Sequence, residues 1–415
     1  MADGFYVYDP QTKMTHNIGN LKDVTMNDAV TAQPSSEEVL IATDGNGVYK
    51  LNMNTLQLHS FLSTTQESDK MNGDIIKDIY LDEEGRVWMT VFPFSVTIYS
   101  DKYPKYEWLH QTNNDSQSLA NSRVTQVIED SDGDIWVTTN NGIGCYHTRT
   151  KQWTTLLSSH DQNRQDQNYV YISLCESTPG TILVGGYMSG MYRINKKDMR
   201  PQYFSPQQEG YTDIRPDKYI RSIYRDEQGT VWAGGYYNFK SMNFATGQID
   251  HYQTEYPISV ITSKSDKELW VGTVNGIYKF NKQLKEFQQE PLLTDMGAVN
   301  TIYQANDELT YIGTHGSGLC VYNNRTGELK TYDTNNSALL SNNIFCILPS
   351  TSEGELIIST ENALVCFNAQ EERFQNWTKE QGMLSENFST SAGVKTHKGK
   401  ILFGCEDGLI YIEDS

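Results

Sequence analysis

No stretch of 18 consecutive apolar residues occurs in this 415-residue sequence, so nothing in it reads as a membrane-spanning helix. The N-terminus lacks the basic-then-apolar pattern of a signal peptide, which leaves two readings: a cytosolic protein, or a piece of a longer exported chain. Basic residues are scarce: 33 Lys and Arg stand against 52 Asp and Glu, a net charge of −19. Non-specific binding to nucleic acid or anionic lipid needs clustered Lys and Arg, so neither is expected as a partner. The same imbalance weakens the case for a strongly anionic ligand, although a local basic patch could overrule the sum. No long charge run exists, so the acidity is spread over solvated loops.

Cysteine is sparse too. The six residues Cys145, Cys175, Cys320, Cys346, Cys366 and Cys405 form no Cys-x-x-Cys pair and fall within apolar, strand-like runs. They read as buried free thiols acting as small hydrophobes, with one disulfide left open. The eight His show no metal-ligand spacing with them, so neither zinc nor any other metal or cofactor is expected. Also missing are a Gly-x-Ser-x-Gly elbow, a His-Glu-x-x-His helix and a P-loop. A glycosidase needs two close carboxylates in a cleft; 52 acidic residues supply many pairs by chance, and none recurs in a special setting. The sequence therefore does not read as an enzyme. Hydrophobic content is 37%, below the usual level of a globular chain, while 26 Tyr and 7 Trp bring aromatics to 11%. A composition poor in aliphatics and rich in Tyr, Thr, Val and Ile suits half-buried strands.

What is present is a repeat. The run Ile135-Trp136-Val137-Thr138-Thr139 returns in Val39-Leu40-Ile41, Val87-Trp88-Met89, Ile182-Leu183-Val184, Val231-Trp232-Ala233, Leu269-Trp270-Val271, Thr310-Tyr311-Ile312, Leu356-Ile357-Ile358 and Ile401-Leu402-Phe403. These nine anchors lie 38 to 49 residues apart, the period of a propeller blade. Each unit reads as four strands. Strand A alternates (Val124, Val127), and an Asp-x-x-Gly turn follows at Asp82–Gly85, Asp130–Gly133 and Asp226–Gly229. Gly there supplies positive φ, and Asp bonds the turn backbone. Strand B carries the anchor and ends in small residues such as Gly185-Gly186 and Gly234-Gly235. Strand C opens with Gly and a Tyr-bearing run, as in Gly47-Val48-Tyr49 and Gly276-Ile277-Tyr278; strand D carries an outer aromatic, as at Trp153 and Tyr252. A lone blade exposes both faces, so blades must stack, and the anchor Trp residues belong between them. The expected fold is all-β, a β-propeller of four-stranded antiparallel blades. Both ends of the chain match strand C, and nine repeats exceed the common maximum of eight blades. We expect residues 1–111 to be the last blades of a preceding propeller and residues 112–415 to form a seven-bladed ring. A single eight- or nine-bladed ring over 1–415 is the alternative.

The composite Ser122-Arg123-Val124-x-x-Val127-Ile128-x-Asp130-x-x-Gly133-x-Ile135-Trp136-Val137-Thr138-Thr139-x-x-Gly142, preceded by Ser118-Leu119-Ala120-Asn121, resembles the two-component regulator propeller repeat. So does Leu339-Leu340-Ser341-Asn342-Asn343-Ile344. Gly382-Met383-Leu384-Ser385-Glu386-Asn387-Phe388 with Phe403-Gly404-Cys405-Glu406-Asp407-Gly408 is similar to the last blade of such sensors. The resemblance implies a periplasmic sensor region of a hybrid two-component regulator, of the kind that controls polysaccharide utilisation in gut bacteria. In that family two seven-bladed propellers lie in tandem and bind glycan breakdown products. A β-sandwich, a membrane helix and a kinase follow outside this stretch, and a homodimer forms through the full-length regulator.

The ligand site is sought on the face where the B–C and D–A loops gather. Sugars present apolar C–H faces to Tyr and hydroxyls to Asn, His and Arg. The candidates are Tyr236, Tyr237 and Phe239 in the most aromatic loop, with Tyr187, Asn140 and His315 in other B–C loops. Arg123, Tyr169, Tyr219 and Arg221 begin strand A near the same face, and the D–A loops 158–168 and 205–218 add Arg164, Tyr211 and Arg215. Each residue alone also reads as ordinary packing; the cluster is what suggests a site. An oligosaccharide is the expected ligand. A protein-interaction scaffold is the alternative, and a propeller glycosidase or lyase the third reading.

Overall fold

The computed structural model describes residues 5–19, 31–64, 71, 73–83, 85–93, 95–100, 105–109, 118–161, 168–204, 218–383 and 385–413. The chain separates into two units, Met1–Tyr103 and Pro104–Ser415. The first holds a hairpin of β1 (Phe5–Asp9) and β2 (Met14–Gly19) and a four-stranded sheet of β3 (Thr31–Ala32), β4 (Glu38–Ala42), β5 (Val48–Asn52) and β6 (Gln57–Leu62). It also holds a three-stranded sheet of β7 (Ile76–Leu81), β8 (Val87–Val91) and β9 (Ser95–Tyr99). Leu40, Val48, Ile79 and Met89 form a core between the latter two sheets.

The second unit opens with β10 (Lys105–Leu109) and continues through seven sheets. Blade 1 is β11 (Val124–Glu129), β12 (Ile135–Thr139), β13 (Ile143–His147) and β14 (Gln152–Leu156). Blade 2 is β15 (Tyr171–Thr178), β16 (Thr181–Gly186), β17 (Met191–Asn195) and β18 (Arg200–Phe204). Blade 3 is β19 (Ile220–Arg225), β20 (Val231–Gly235), β21 (Asn238–Asn243) and β22 (Gln248–Gln253). Blade 4 is β23 (Ile258–Ser263), β24 (Glu268–Thr273), β25 (Gly276–Asn281) and β26 (Glu286–Thr294). Blade 5 is β27 (Val299–Gln304), β28 (Leu309–Thr314), β29 (Leu319–Asn323) and β30 (Leu329–Tyr332). Blade 6 is β31 (Ile344–Pro349), β32 (Glu355–Thr360), β33 (Leu364–Asn368) and β34 (Arg373–Trp377). Blade 7 is β35 (Phe388–Lys395), β36 (Ile401–Cys405) and β37 (Gly408–Glu413), with β10 as its outer strand. All pairings are antiparallel.

Each innermost strand packs against the next, and β35 packs against β11, so the seven blades close into a β-propeller. The closure joins the two ends of the unit: Lys105 to Leu109 run in register against Glu413 to Leu409. Such an exchange ties the last sheet to the first residues of the ring and covers the outer edge of β37. By repeat phase β10 is the strand D that follows β9, with Trp108 as its outer aromatic as Phe61 and Trp153 are in theirs, yet its pairing assigns it to blade 7.

The anchors behave as the stacking argument requires. Trp136, Trp232 and Trp270 are buried, each between its own blade and the next. Cores of this kind repeat around the ring, as between blades 2 and 3 (Leu183, Met191, Ile220, Val231) and between blades 7 and 1 (Leu402, Leu409, Val124, Val137). All six cysteines are free, and all but Cys366 are buried.

Two devices recur. First, the Gly that opens strand C takes positive φ: +70° at Gly47, +89° at Gly142, +74° at Gly190, +91° at Gly276 and +80° at Gly318. Its N–H reaches the loop before the following strand A, as Gly142 N to Tyr169 O at 2.8 Å and Gly276 N to Gly297 O at 2.8 Å. A Cβ on Gly142 would lie 2.7 Å from Leu156 O, so glycine is required twice over. Second, six of the inner strands of the ring carry a one-residue bulge, at Thr125, Ile172, Arg221, Ser259, Asn300 and Phe345. A bulge re-aims one side chain, here towards the neighbouring inner strand. Ser259 donates to Val299 O at 2.5 Å and Asn300 to Ile344 O at 2.9 Å, so the bulges stitch blade to blade around the axis.

Candidate ligand-binding face

Most B–C loops are closed by a threonine at the end of strand B. Thr139, Thr273 and Thr314 each donate their hydroxyl, at 2.9 Å, to the carbonyl of the Gly that opens strand C. Thr43 does the same to Gly47 at 2.7 Å. This clamp holds the loop low and regular. Blade 7 has Cys405 at this position, and in blades 2 and 3 glycine (Gly186, Gly235) stands where the threonine would be. Their loops carry Tyr187-Met188 and Tyr236-Tyr237, and Met188 (φ 63°) and Tyr237 (φ 50°) sit in the left-handed region. A left-handed non-glycine residue costs on the order of 1 kcal/mol, and such strain concentrates where a loop has a task beyond folding.

The structure brings four of the candidate tyrosines onto this pair of blades. Tyr187 (51% exposed) meets Tyr219 edge-on with ring centroids 5.4 Å apart. Tyr219 also lies against Gly235: a Cβ there would come within 2.1 Å of Tyr219 O and 2.9 Å of its ring. The next residues, Tyr236 (38% exposed) and Tyr237 (47% exposed), pair edge-on at 4.8 Å. Glycine at position 235 thus lets an exposed aromatic ridge run from Tyr187 to Tyr237.

The remaining candidates lie elsewhere. Phe239 is corrected to a core residue: it is 0% exposed and stacks on Trp232 at 5.3 Å within the cluster between blades 3 and 4. Strand β21 begins at Asn238, so alternation turns the Phe239 ring inward. Arg221 is likewise not on the loop surface. As a bulge residue it points into the axial region, donating to Ile172 O (3.5 Å) and to Thr390 O of blade 7 (3.4 Å), and burial lowers its pKa. Arg123 is exposed and paired with Glu406 at 2.6 Å. Asn140 is half-buried, its N–H on Arg123 O at 3.3 Å, and Tyr169 is half-buried behind the Gly142 contact. His315 is exposed and bridges to Asn343, away from the ridge. Residues 162–167 and 205–217, with Arg164, Tyr211 and Arg215, lie outside the described residues, as does Leu384.

One blade further on, the short loop after β22 opens a pocket of about 190 Å³ lined by Gln253, Thr254, Glu255, Tyr256, Tyr278 and Gln289. Tyr256 and Tyr278 are 6.2 Å apart, inclined at 31°. The Glu255 carboxylate pushes the Tyr256 phenol up, and burial followed by Glu255 does the same to Tyr278. Thr254 Oγ1 is buried with no hydrogen-bond partner among the described residues. Two rings, two amides, a carboxylate and an unsatisfied hydroxyl make a wall suited to a hydroxyl-rich ligand. Sequence reading missed this site because Tyr278 has the ordinary strand C phase and the loop is only four residues long.

Residues 118–141 and 215–237 match the two component regulator propeller family. The chain carries two-component regulator propeller repeats. The second matched repeat ends on Tyr236-Tyr237, and the first spans the Asp130–Trp136 hairpin. No curated protein matches the sequence. Among solved structures, the extracellular domain of a hybrid two-component system from B. thetaiotaomicron superposes with a TM-score of 0.67 at 17% identity, over 99% of this chain and 54% of that one. A second extracellular domain from the same organism gives 0.58 at 16% identity, over 100% and 56%. A streptogramin B lyase gives 0.57 at 18% identity, over 75% and 97%. At these identities the likeness establishes the propeller fold, and this propeller-repeat chain spans about half the length of the two extracellular domains.

Proposed function

We propose that this chain is part of the extracytoplasmic sensor region of a two-component regulator, and that it binds an oligosaccharide released by polysaccharide breakdown. The aromatic ridge from Tyr187 to Tyr237 carries this reading, because the two blades that build it put glycine where blades 1, 4, 5 and 6 have the threonine clamp. Tyr rings cover the C–H faces of pyranoses, while Gln253, Gln289 and Glu255 in the neighbouring pocket take hydroxyls. The Glu255 carboxylate and the net charge of −19 favour a neutral saccharide over an anionic one. The propeller repeats and the likeness to extracellular domains of two-component systems support the placement outside the cytoplasm. In this reading the histidine kinase lies elsewhere in the full regulator, and this part performs no catalysis. The test is calorimetry of the purified chain against oligosaccharides prepared by enzymatic digestion of polysaccharides. Binding of a neutral oligosaccharide that competes with quenching of Tyr fluorescence supports the reading. Failure of every saccharide, together with capture of a defined partner protein by the same face, replaces it with the scaffold reading.

A further inference from the structure

On the hairpin side of blade 1, away from the tyrosine ridge, three side chains of different chemistry converge. Asp134 ends the turn that precedes β12, while Cys145 and His147 are two residues apart on β13. Strand periodicity puts the latter two on one face, a relationship that a search for helical or loop ligand spacing passes over. His147 Nδ1 lies 3.0 Å from Asp134 Oδ2 and 3.8 Å from Cys145 Sγ, and all three donor atoms fall within 4.8 Å of one another. Ligand atoms around a tetrahedral zinc ion are separated by about 3.3–3.6 Å, given metal–ligand bonds of about 2.0–2.3 Å. Small side-chain shifts suffice to pass from one set of distances to the other.

Hydrogen bonds with Thr148 and Thr154 fix these groups, as the outer partners of a metal site orient its ligands. Thr148 donates from its N–H to Asp134 Oδ1 at 3.0 Å, which occupies one carboxylate oxygen and leaves Oδ2 turned to the imidazole. His147 Nε2 lies 2.9 Å from Thr154 Oγ1. With Nε2–H donated to that hydroxyl, the Nδ1 lone pair faces Asp134 and Cys145. Cys145 is 1% exposed, whereas the His147 and Asp134 side chains are 32% and 24% exposed, so one side is walled and the other open to an entering ion.

We propose that Asp134, Cys145 and His147 form a binding site for a divalent zinc ion, with a water as fourth ligand on the open side. A thiolate, an imidazole and a carboxylate together suit zinc better than calcium or magnesium, which take oxygen donors. The carboxylate and thiolate neutralise its two charges. Bound there, the ion ties the turn before β12 to β13 and stiffens the first blade. It stands apart from the ligand-binding reading and does not depend on it.

The experiment uses the whole chain, stripped of metal with a chelator and titrated with cobalt(II) and zinc. The expected result is one site per chain. A thiolate-to-cobalt charge-transfer band appears, zinc displaces it, and close to one proton is released on binding as the thiol ionises. C145S abolishes the band and weakens zinc at least tenfold, H147A weakens zinc to a similar degree, and T154V weakens it about tenfold through the imidazole orientation. C366S, in blade 6, leaves the band unchanged. Zinc also raises the melting temperature of the parent chain and not of H147A. Absence of the cobalt–thiolate band overturns the proposal, as does a band lost in C366S and kept in C145S. Should C145S fail to fold, H147A with undiminished zinc affinity overturns it equally.

Discussion

Asp130 and Trp136 are joined within one hairpin: the indole Nε1–H of Trp136 donates to Asp130 Oδ2 at 2.8 Å. Asp130 Oδ1 accepts the N–H of Asp134 at 3.0 Å, so one carboxylate closes the turn and fixes the ring that follows. The arrangement repeats at Asp82–Trp88 (2.8 Å) and Asp226–Trp232 (2.9 Å). In the ring a lysine of the next blade completes it: Lys196 lies 3.0 Å from Asp130, and Lys282 lies 3.0 Å from Asp226. Turn, core and blade interface therefore share one buried carboxylate. Replacing Asp130 with Ala leaves Trp136 Nε1 and Lys196 without it, and we expect a loss of about 3 kcal/mol in urea-induced unfolding. A loss no larger than that of a surface Asp→Ala control, such as Asp198→Ala, would refute the account.

The same group makes stability depend on pH. Burial raises the Asp130 pKa, but the bonds from Trp136 and Lys196 outweigh it and hold the carboxyl below its ordinary value. A folded-state pKa depressed in this way contributes stability that is fully present above about pH 4, the unfolded value, and is lost as pH falls through the folded one. The urea midpoint should drop between pH 5 and pH 3 in the parent chain and drop less in D130A. Parallel pH profiles for the two proteins would remove Asp130 from the explanation.

Gly142 and Gly180 separate two reasons for glycine. Both have positive φ, +89° and +90°, but a Cβ on Gly142 meets Leu156 O at 2.7 Å while one on Gly180 meets nothing within 4 Å. Gly180→Ala should cost about 1 kcal/mol, the conformational part alone, and Gly142→Ala at least twice that. Equal losses in thermal unfolding would show that close approach adds nothing.

At the ligand face, Tyr236→Ala with Tyr237→Ala should abolish saccharide binding by calorimetry while the melting temperature shifts little, because both rings are exposed. Tyr237→Gly should modestly stabilise the chain by relieving its φ of 50°. Unchanged affinity in the double variant would move the site off the ridge.

Cys175 and Cys346 provide a check on burial. Desolvation pushes both thiols up to about 12. Neither should react with iodoacetamide at pH 8 in the folded chain, and both should react in urea, as mass spectrometry of peptides would read. Rapid native labelling of Cys346 would mean that blade 6 opens readily.

Much of this protein is written in a period. The anchors at 136, 232 and 270, the Asp-x-x-Gly turns and the Gly before strand C declare four-stranded blades, because each repeats a local need: a half-buried strand, a positive φ, a tight hairpin. Alternation also placed the anchor Trp residues inside. The site was less legible. Tyr236-Tyr237 stood out as a loop anomaly, yet Phe239, two residues on, reads the same by composition and turned inward with the start of β21. Ring closure by Lys105–Leu109 and the crossing of Arg221 to Thr390 are decisions of the tertiary structure. A period reports what every blade must do for its neighbour. It is silent on contacts made once, between residues whose separation in sequence carries no repeat, because their energy appears only when the ring brings them together.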